Sequence, residues 1–165
     1  MKQLLIDIQN RLIERVPELK YVDEDWGQLD YYNVAQPVKY PLAVININMA
    51  AYTNEGAFVQ QGLINIVVTV CDIKLSNTSG AAPQLQKQAA WKVFDIMDGV
   101  VKALHGWAGS PNYSKLSRIQ INRRKNDEGL NLFDLIFTTN LQDTIAMPRV
   151  AHVSGAVPKI KTAVL

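Results

Sequence analysis

The sequence predicts an α+β fold, in which an antiparallel or mixed sheet of about four to five strands is packed by two helices on one face. Two segments place apolar residues at helical spacing, and two pairs of segments alternate apolar and polar residues as hairpin strands do. Their order is helix, hairpin, long helix and hairpin, followed by an extended C-terminal tail. Antiparallel strands with helices on one side are the arrangement that this order favours.

Both helices are predicted from amphipathic patterns. The first covers residues 2–16, and Pro17 ends it because proline disfavours helical backbone in the residue before it. The second covers residues 83–104, and Gly99 inside it is a candidate for a close contact with the sheet. Its apolar stripe consists of Leu85, Ala89, Val93, Ile96, Met97, Val100 and Leu104, widened by Ala90, Phe94 and Val101.

The first hairpin is predicted from strands at residues 42–49 and 62–71. Alternation places Ala43, Ile45, Ile47 and Met49 on one face of its first strand, and Ile64, Ile66, Val68 and Val70 on the inner face of its second. Residues 50–61 connect them, with a turn at Asn54-Glu55-Gly56, so the tip is expected to project beyond the sheet. Before this hairpin, residues 21–30 could hold a short strand, and residues 31–40 are interpreted as a loop excursion.

The second hairpin is predicted from residues 116–124 and 130–139. In its second strand Phe133, Leu135 and Phe137 point inward. Its first strand is expected to carry Ser117, Ile119 and Ile121 on one face and Arg118, Gln120, Asn122 and Arg124 on the other.

The division into parts follows from the same pattern. At 165 residues the chain is expected to form one domain, over residues 1–141, and residues 142–165 form an extended tail. That tail carries several apolar residues together with Pro148 and Pro158. It is either disordered or laid against a surface such as a neighbour's sheet edge, and the sequence leaves both open.

Charge is distributed unevenly although the net charge is only +2. Residues 1–30 hold seven acids against four bases, whereas residues 115–125 hold five bases and no acid. Such asymmetry suits a head-to-tail contact between copies, in which a negative face meets a positive one. For any single one of these residues, an ordinary solvated surface is the preferred interpretation.

Catalytic chemistry is not predicted. The chain has one cysteine, Cys71, and two distant histidines, His105 and His152, whereas a closed zinc site needs about four ligands. Asp23, Glu24 and Asp25 are adjacent, so an extended segment would point them to alternating sides. With neither a nucleophile elbow nor a phosphate loop in the sequence, we expect no enzyme activity, no cofactor and no metal.

Other partners are constrained in the same way. The longest apolar stretch is far shorter than a membrane span, and the N-terminal residues reach Asp7 before a signal-peptide core could form, so no membrane partner is expected. Arg118, Arg123, Arg124 and Lys125 leave open a small DNA-binding module. The five bases of residues 115–125 are few for a nucleic-acid-binding surface in a nearly neutral protein, and a solvated hairpin is the preferred interpretation.

The order of elements resembles the phage tail terminator family, also called tail-completion proteins. The likeness covers residues 1–141 and lies in the opening helix, the acidic run into Trp26-Gly27-Gln28, and the strand Pro41-Leu42-Ala43-Val44-Ile45-Asn46-Ile47. It continues through the strand beginning at Gly62, the long helix and the second hairpin. Similar small folds occur in other head-to-tail connector proteins.

This resemblance implies a homo-oligomeric ring, commonly of six copies, that caps the growing tail tube and offers a surface to the head connector. DNA would pass through the ring without being read, and there are no catalytic residues to carry over. The protein would be part of the virion, assembled in the bacterial host cytoplasm, and a prophage origin fits. Candidate contacts to neighbouring subunits or the ring lumen are Asn54, Glu55, Arg118, Arg123, Arg124 and Lys125. Another head–tail connector or neck protein is the alternative.

Overall fold

The computed structural model describes residues 1–29, 38–73, 78–124 and 129–148 of the chain. Its elements are α1 (Lys2–Arg15), β1 (Tyr21–Glu24), β2 (Leu42–Asn54), β3 (Gln60–Ile73), α2 (Gln84–Leu104), β4 (Ser117–Arg124) and β5 (Leu130–Asp143). The predicted α+β fold with two helices and a five-stranded mixed sheet is confirmed. The order differs in one detail, because β1 stands between α1 and the first hairpin.

The five strands form one sheet in the order β1-β2-β3-β5-β4. β1 pairs with β2 in parallel, and the other three pairs are antiparallel. The two shortest strands, β1 and β4, are therefore the edges of the sheet, and the long strands β2, β3 and β5 form its centre.

Both helices cover the same face of this sheet. The inward side chains of β3 and β5 pack there against the apolar stripes of α1 and α2. Fully buried members include Leu4, Ile8 and Leu12 of α1, Ile64, Ile66, Val68 and Val70 of β3, Ile96, Val100 and Leu104 of α2, and Leu135 and Phe137 of β5. The inward alternation predicted for β3 and β5 is thus confirmed.

A smaller apolar cluster covers part of the opposite face. It joins Leu29 to the ends of three strands, and Tyr21, Val38 and Tyr40 pack against it. Its strand members are Leu42, Val44, Cys71, Leu130 and Leu132. The start of β2 is consequently buried on both sides, which explains its uninterrupted apolar run.

Irregularities in two strands overturn two predictions about faces. The β2–β3 register shifts between Ile47 and Met49, so Ile47 lies opposite Ile66 but Met49 lies opposite Asn65. An extra residue reverses the alternation, and Met49 is on the opposite face from Ile47 and 46% exposed.

The same effect occurs in β4, whose register shifts between Arg118 and Gln120. Arg118 lies opposite the inward-facing Phe137, and Ile121 lies opposite the inward-facing Leu135. Arg118 and Ile121 therefore share the helix-covered side, whereas Gln120, Asn122 and Arg124 lie on the other. The prediction that Arg118 shares a face with Gln120 was wrong.

The first half of α2 extends past the core. Leu85 and Ala89 follow the helical spacing of the buried residues, as predicted, yet both are exposed and Leu85 is 80% accessible. Gly99 makes its close approach to α1 rather than to the sheet, because a Cβ there would lie 3.3 Å from a methyl group of Val16.

The strands of the first hairpin are longer than predicted, and only residues 55–59 connect them. β5 also continues through Asp143, two residues into the segment assigned to the tail. Residues 30–37, which are most of the predicted excursion, together with Lys125 and residues 149–165 with His152, lie outside the described residues. None of the described helices is long and apolar enough to cross a membrane.

Candidate assembly surfaces

The β2–β3 hairpin presents the first pair of candidate residues, Asn54 and Glu55. The Asn54 side-chain oxygen accepts a hydrogen bond from the Gln60 side chain at 2.9 Å, and the Glu55 N–H donates to the Val59 carbonyl at 2.9 Å. These bonds close the turn and leave both side chains exposed. The prediction that this tip projects fits the position of Asn54 and Gln60 as the last pair of the β2–β3 ladder.

A groove of about 580 Å³ runs along this tip. It lies between the turn and the residues that follow β5, and it is lined by Gly56, Phe58, Asp143 and Ile145 among others. Phe58 is 51% exposed and Ile145 is almost wholly exposed. An exposed apolar rim of this kind is a common mark of a protein–protein contact.

Two residues into β3 from the turn, Gly62 affects the surface of the hairpin. Gly62 lies opposite Tyr52 in the β2–β3 ladder. A Cβ on Gly62 would lie 2.6 Å from the Tyr52 ring, so the missing side chain lets that ring approach the backbone of β3 closely.

The second group of candidates, Arg118, Arg123 and Arg124, lies along β4, whose eight residues are all exposed. Arg124 pairs with Asp134 at 3.1 Å and donates to the Thr69 hydroxyl at 3.2 Å. Arg123 stands over the Phe133 ring, 5.3 Å from its centroid, and donates to Asn131. Two of the three arginines are thus held by neighbours in the sheet, on opposite faces.

Near the start of β4, a backbone hydrogen bond holds Arg118 in position. Its N–H donates to Nδ1 of His105, the residue that directly follows α2, at 3.1 Å. This bond ties the end of α2 to the beginning of β4 and gives His105 a structural contact.

The structure does not bring the two groups together. The hairpin tip pairs with β5 at Asp143, whereas Arg118 pairs with Phe137 and Arg123 with Phe133. Six residues of extended strand separate the tip from Arg118, or about 20 Å, and ten separate it from Arg123, or about 34 Å. Asn54 and Glu55 therefore belong to one surface and the arginines to another, while Lys125 lies outside the described residues.

A third surface, which sequence reasoning did not single out, surrounds Trp26. This indole is 55% exposed although its turn is firmly bonded. The Trp26 N–H donates to the Gln28 side chain, the Gly27 N–H donates to Asp25, and the buried Gln28 side chain donates to the Glu24 carbonyl. Gly27 has φ of 92°, which side-chain-bearing residues rarely adopt. The run Trp26-Gly27-Gln28 was a usable signal, since glycine after an aromatic residue in a polar segment marks such a turn.

The titratable groups with displaced pKa values are buried or partly buried in the sheet and its apolar clusters. Burial raises the pKa of the Cys71 thiol to about 12, and the neighbouring Asp72 carboxylate adds to the effect. Burial, followed by hydrogen bonding to Asp23, raises the pKa of Tyr21. Across the part of the chain that the structure describes, no three His, Cys, Asp or Glu side chains are grouped as a metal site.

Comparison with known proteins shows a fold likeness. No protein-family profile matches the chain. No curated protein matches it in sequence. Among solved structures, 26 chains match. One of them, a chain in the virion of a native gene transfer agent particle, has a TM-score of 0.50 at 13% identity, over 85% of this chain and 95% of that one. At this level of identity the match establishes a shared fold over nearly the whole of both chains.

Proposed function

We propose that this chain is a structural virion-assembly protein, a ring-forming subunit that caps the phage tail tube and joins it to the head connector. The observation that carries the proposal is the fold likeness to a virion chain of a gene transfer agent, which spans 85% of this chain. The helix, hairpin, long helix and hairpin that resemble tail terminators all occur in the structure in that order, with the short strand β1 added after α1. Fold likeness is a guide to function only with support from surfaces.

The surfaces support a subunit that contacts copies on two sides and a different partner at one end. A contact that closes into a ring joins two unlike patches of each copy. The sheet has two unlike edges, β1 and β4. The hairpin tip, with Phe58 and the groove beside it, lies away from β4 and is the surface we assign to the tail tube.

The role is tested in the particle itself. We expect the protein in purified virions, and we expect antibody labelling to place it at the junction of tail and head. Deleting its gene should leave tails of irregular length that do not join heads, because uncapped tubes continue to polymerise. Normal, infectious particles from the deletion strain would refute the role.

The first alternative is that the protein is another head–tail connector or neck protein. This role differs from tail capping only in the partner that the subunit contacts. A head-side connector would co-purify with the portal protein and not with the tail tube. The same labelling would then mark heads that have no tails.

DNA binding is the second alternative, favoured by the exposed arginines of β4. A DNA-binding module should be retained on a DNA column in a salt-dependent manner, and neutralising Arg123, Arg124 and Lys125 should remove the retention. The pairing of Arg124 with Asp134 reduces the charge free to meet phosphate. We therefore expect no retention at physiological salt.

A further inference from the structure

The two edges of the sheet carry opposite charges that form no ion pair with one another or with other described residues. β1 and the residue after it supply Asp23, Glu24 and Asp25, and β4 supplies Arg118 and Arg123. Among the described residues the ion pairs are Glu14 with Arg15 and Arg124 with Asp134. All five edge charges are therefore without an ion-pair partner in the described part of the chain.

The sheet register places three of these charges on one side. Glu24 lies opposite Ile45, whose side chain is in the core beneath the helices. Arg118 and Arg123 lie opposite Phe137 and Phe133, which belong to the same core. Since directly opposed residues share a face, Glu24 and both arginines lie on the helix-covered side. Two sheets placed edge to edge would bring these charges to the same side of the junction.

Strand direction is also compatible with such a junction. β1 runs parallel to β2. β5 has the same direction as β2, and β4 runs opposite to β5, so β1 and β4 point in opposite directions. In copies related by rotation about an axis along the strands, β4 of one copy and β1 of the next are antiparallel. Antiparallel pairing is slightly more stable per residue than parallel pairing.

Each edge also offers exposed apolar surface. On β4, Ile119 is 56% exposed and Ile121 is 45% exposed. Beside β1, the Trp26 indole is exposed on a turn whose backbone is held by hydrogen bonds, so docking this turn costs little backbone freedom. Tryptophans are enriched among the residues that dominate binding energy in interfaces. Exposed ion pairs contribute little each, so the charges would select the partner edge and the apolar groups would supply affinity.

The geometry points to one interface: the β1 edge of one copy, with Glu24, Asp25 and Trp26, docks on the β4 edge of the next, with Arg118, Ile121 and Arg123. The partner is a second copy of this chain, joined head to tail. This interface rests on the proposed ring-forming function and names the surfaces that form the ring.

Charge exchange between the edges tests it with the full-length chain. A basic-edge variant, Arg118→Glu with Arg123→Glu, has two acidic edges, and an acidic-edge variant, Glu24→Arg with Asp25→Arg, has two basic edges. Because Asp25 bonds the Gly27 N–H, Glu24→Arg alone serves as a second acidic-edge variant that keeps this bond. The matched control is Asp95→Arg with Asp98→Arg, at exposed positions on the solvent side of α2. Circular dichroism checks that each variant is folded.

Mass photometry then measures assembly of each variant and of their equimolar mixture. We expect each edge variant to need at least tenfold more protein than the wild type before half of it is assembled, which corresponds to about a tenfold loss of affinity. The control should assemble as the wild type does. The mixture should recover assembly, because every junction then joins an acidic edge to a basic one.

The outcomes separate the interface from the function. If the wild type assembles and both edge variants assemble equally well, or if the mixture fails to recover, the interface is refuted while a ring remains possible. If only the basic-edge variant is impaired, β4 contacts something other than β1, and the interface is again refuted. A wild-type chain that is monomeric at every concentration overturns the interface and the ring together.

Discussion

At the scale of single residues, Tyr113 connects distant parts of the chain. Its hydroxyl donates to the Asp7 carboxylate at 3.0 Å and accepts from the Gly109 N–H at 3.0 Å. Burial raises the pKa of Tyr113, and the bond to Asp7 raises it further. The hydroxyl therefore remains a hydrogen-bond donor throughout the physiological range, and it fastens α1 to the loop between α2 and β4.

Tyr113→Phe should lower the free energy of unfolding by about 1–3 kcal/mol, because two partly buried hydrogen bonds are lost and one of them is to a carboxylate. Urea denaturation measures this change. Tyr52→Phe is the matched control, since the Tyr52 ring is partly exposed and no hydrogen bond to its hydroxyl is found in the described residues. Equal stability of the two variants would show that the Tyr113 bonds contribute nothing.

Cys71 is the second test at this scale. With its pKa raised from 9.0 to about 12, the thiolate fraction at pH 8 falls about a thousandfold below that of an exposed thiol. Iodoacetamide should therefore modify the native protein very slowly and the urea-unfolded protein rapidly. Fast modification of the native protein would place Cys71 outside the cluster that covers it.

At the scale of elements, the two halves of α2 differ in how deeply they are buried. Its C-terminal half buries Ile96, Val100 and Leu104 against the sheet, whereas its N-terminal half carries Leu85 and Ala89 beyond the core. The sequence pattern is continuous, because helical periodicity records which side is apolar and not how far the sheet beneath it extends.

Two substitutions separate these halves. Ile96→Ala should cost about 2–5 kcal/mol of stability, because Ile96 is 1% exposed and truncation leaves a cavity. Leu85→Ala should change stability by no more than about 0.5 kcal/mol. Thermal or urea unfolding of both measures the difference, and a large loss at Leu85 would mean that the helix start packs on the folded unit.

The sequence predicted which segments form helices and strands better than it predicted on which face of the sheet each strand residue lies. Strong alternation identified β3 and β5, and helical spacing identified α1 and α2. The register shifts at Ile47/Met49 and Arg118/Gln120 leave no sequence mark, because neither bulge contains a glycine or a residue with positive φ and only strand pairing reveals them. β1 was weakly signalled, since a four-residue edge strand with two acids resembles a loop.

The same reason limited prediction of the candidate surfaces. The arginines and the hairpin tip were visible as residue types, but their separation depends on the pairing of β4 and β5. That Asp23–Asp25 and Arg118–Arg123 lie at opposite edges follows only from the strand order. Sequence order places β1 and β4 apart without saying that both are edges.

At the scale of the whole molecule, the features that bear on the proposed assembly are the two edges of the sheet and the hairpin tip. The sheet ends in one acidic and one basic edge, and a tip with exposed Phe58 projects from its long strands. The fold is shared with a chain of a gene transfer agent virion. A ring formed by such edges should be sensitive to salt, because screening weakens exposed charge pairs.

Salt dependence provides a prediction at this scale. Raising the ionic strength from about 0.05 M to about 0.5 M shortens the range of electrostatic interaction several-fold and should shift assembly toward smaller species. Light scattering on the wild-type protein measures it. Assembly that strengthens with salt would indicate that apolar contacts alone join the subunits.

The ring is tested most directly by electron microscopy of the purified full-length protein, alone and mixed with tail-tube protein, with light scattering on the same samples. We expect closed rings of a single size, and rings seated on the ends of tubes in the mixture. A strict monomer at all concentrations, with no ring on the grids even beside tail-tube protein, would contradict it.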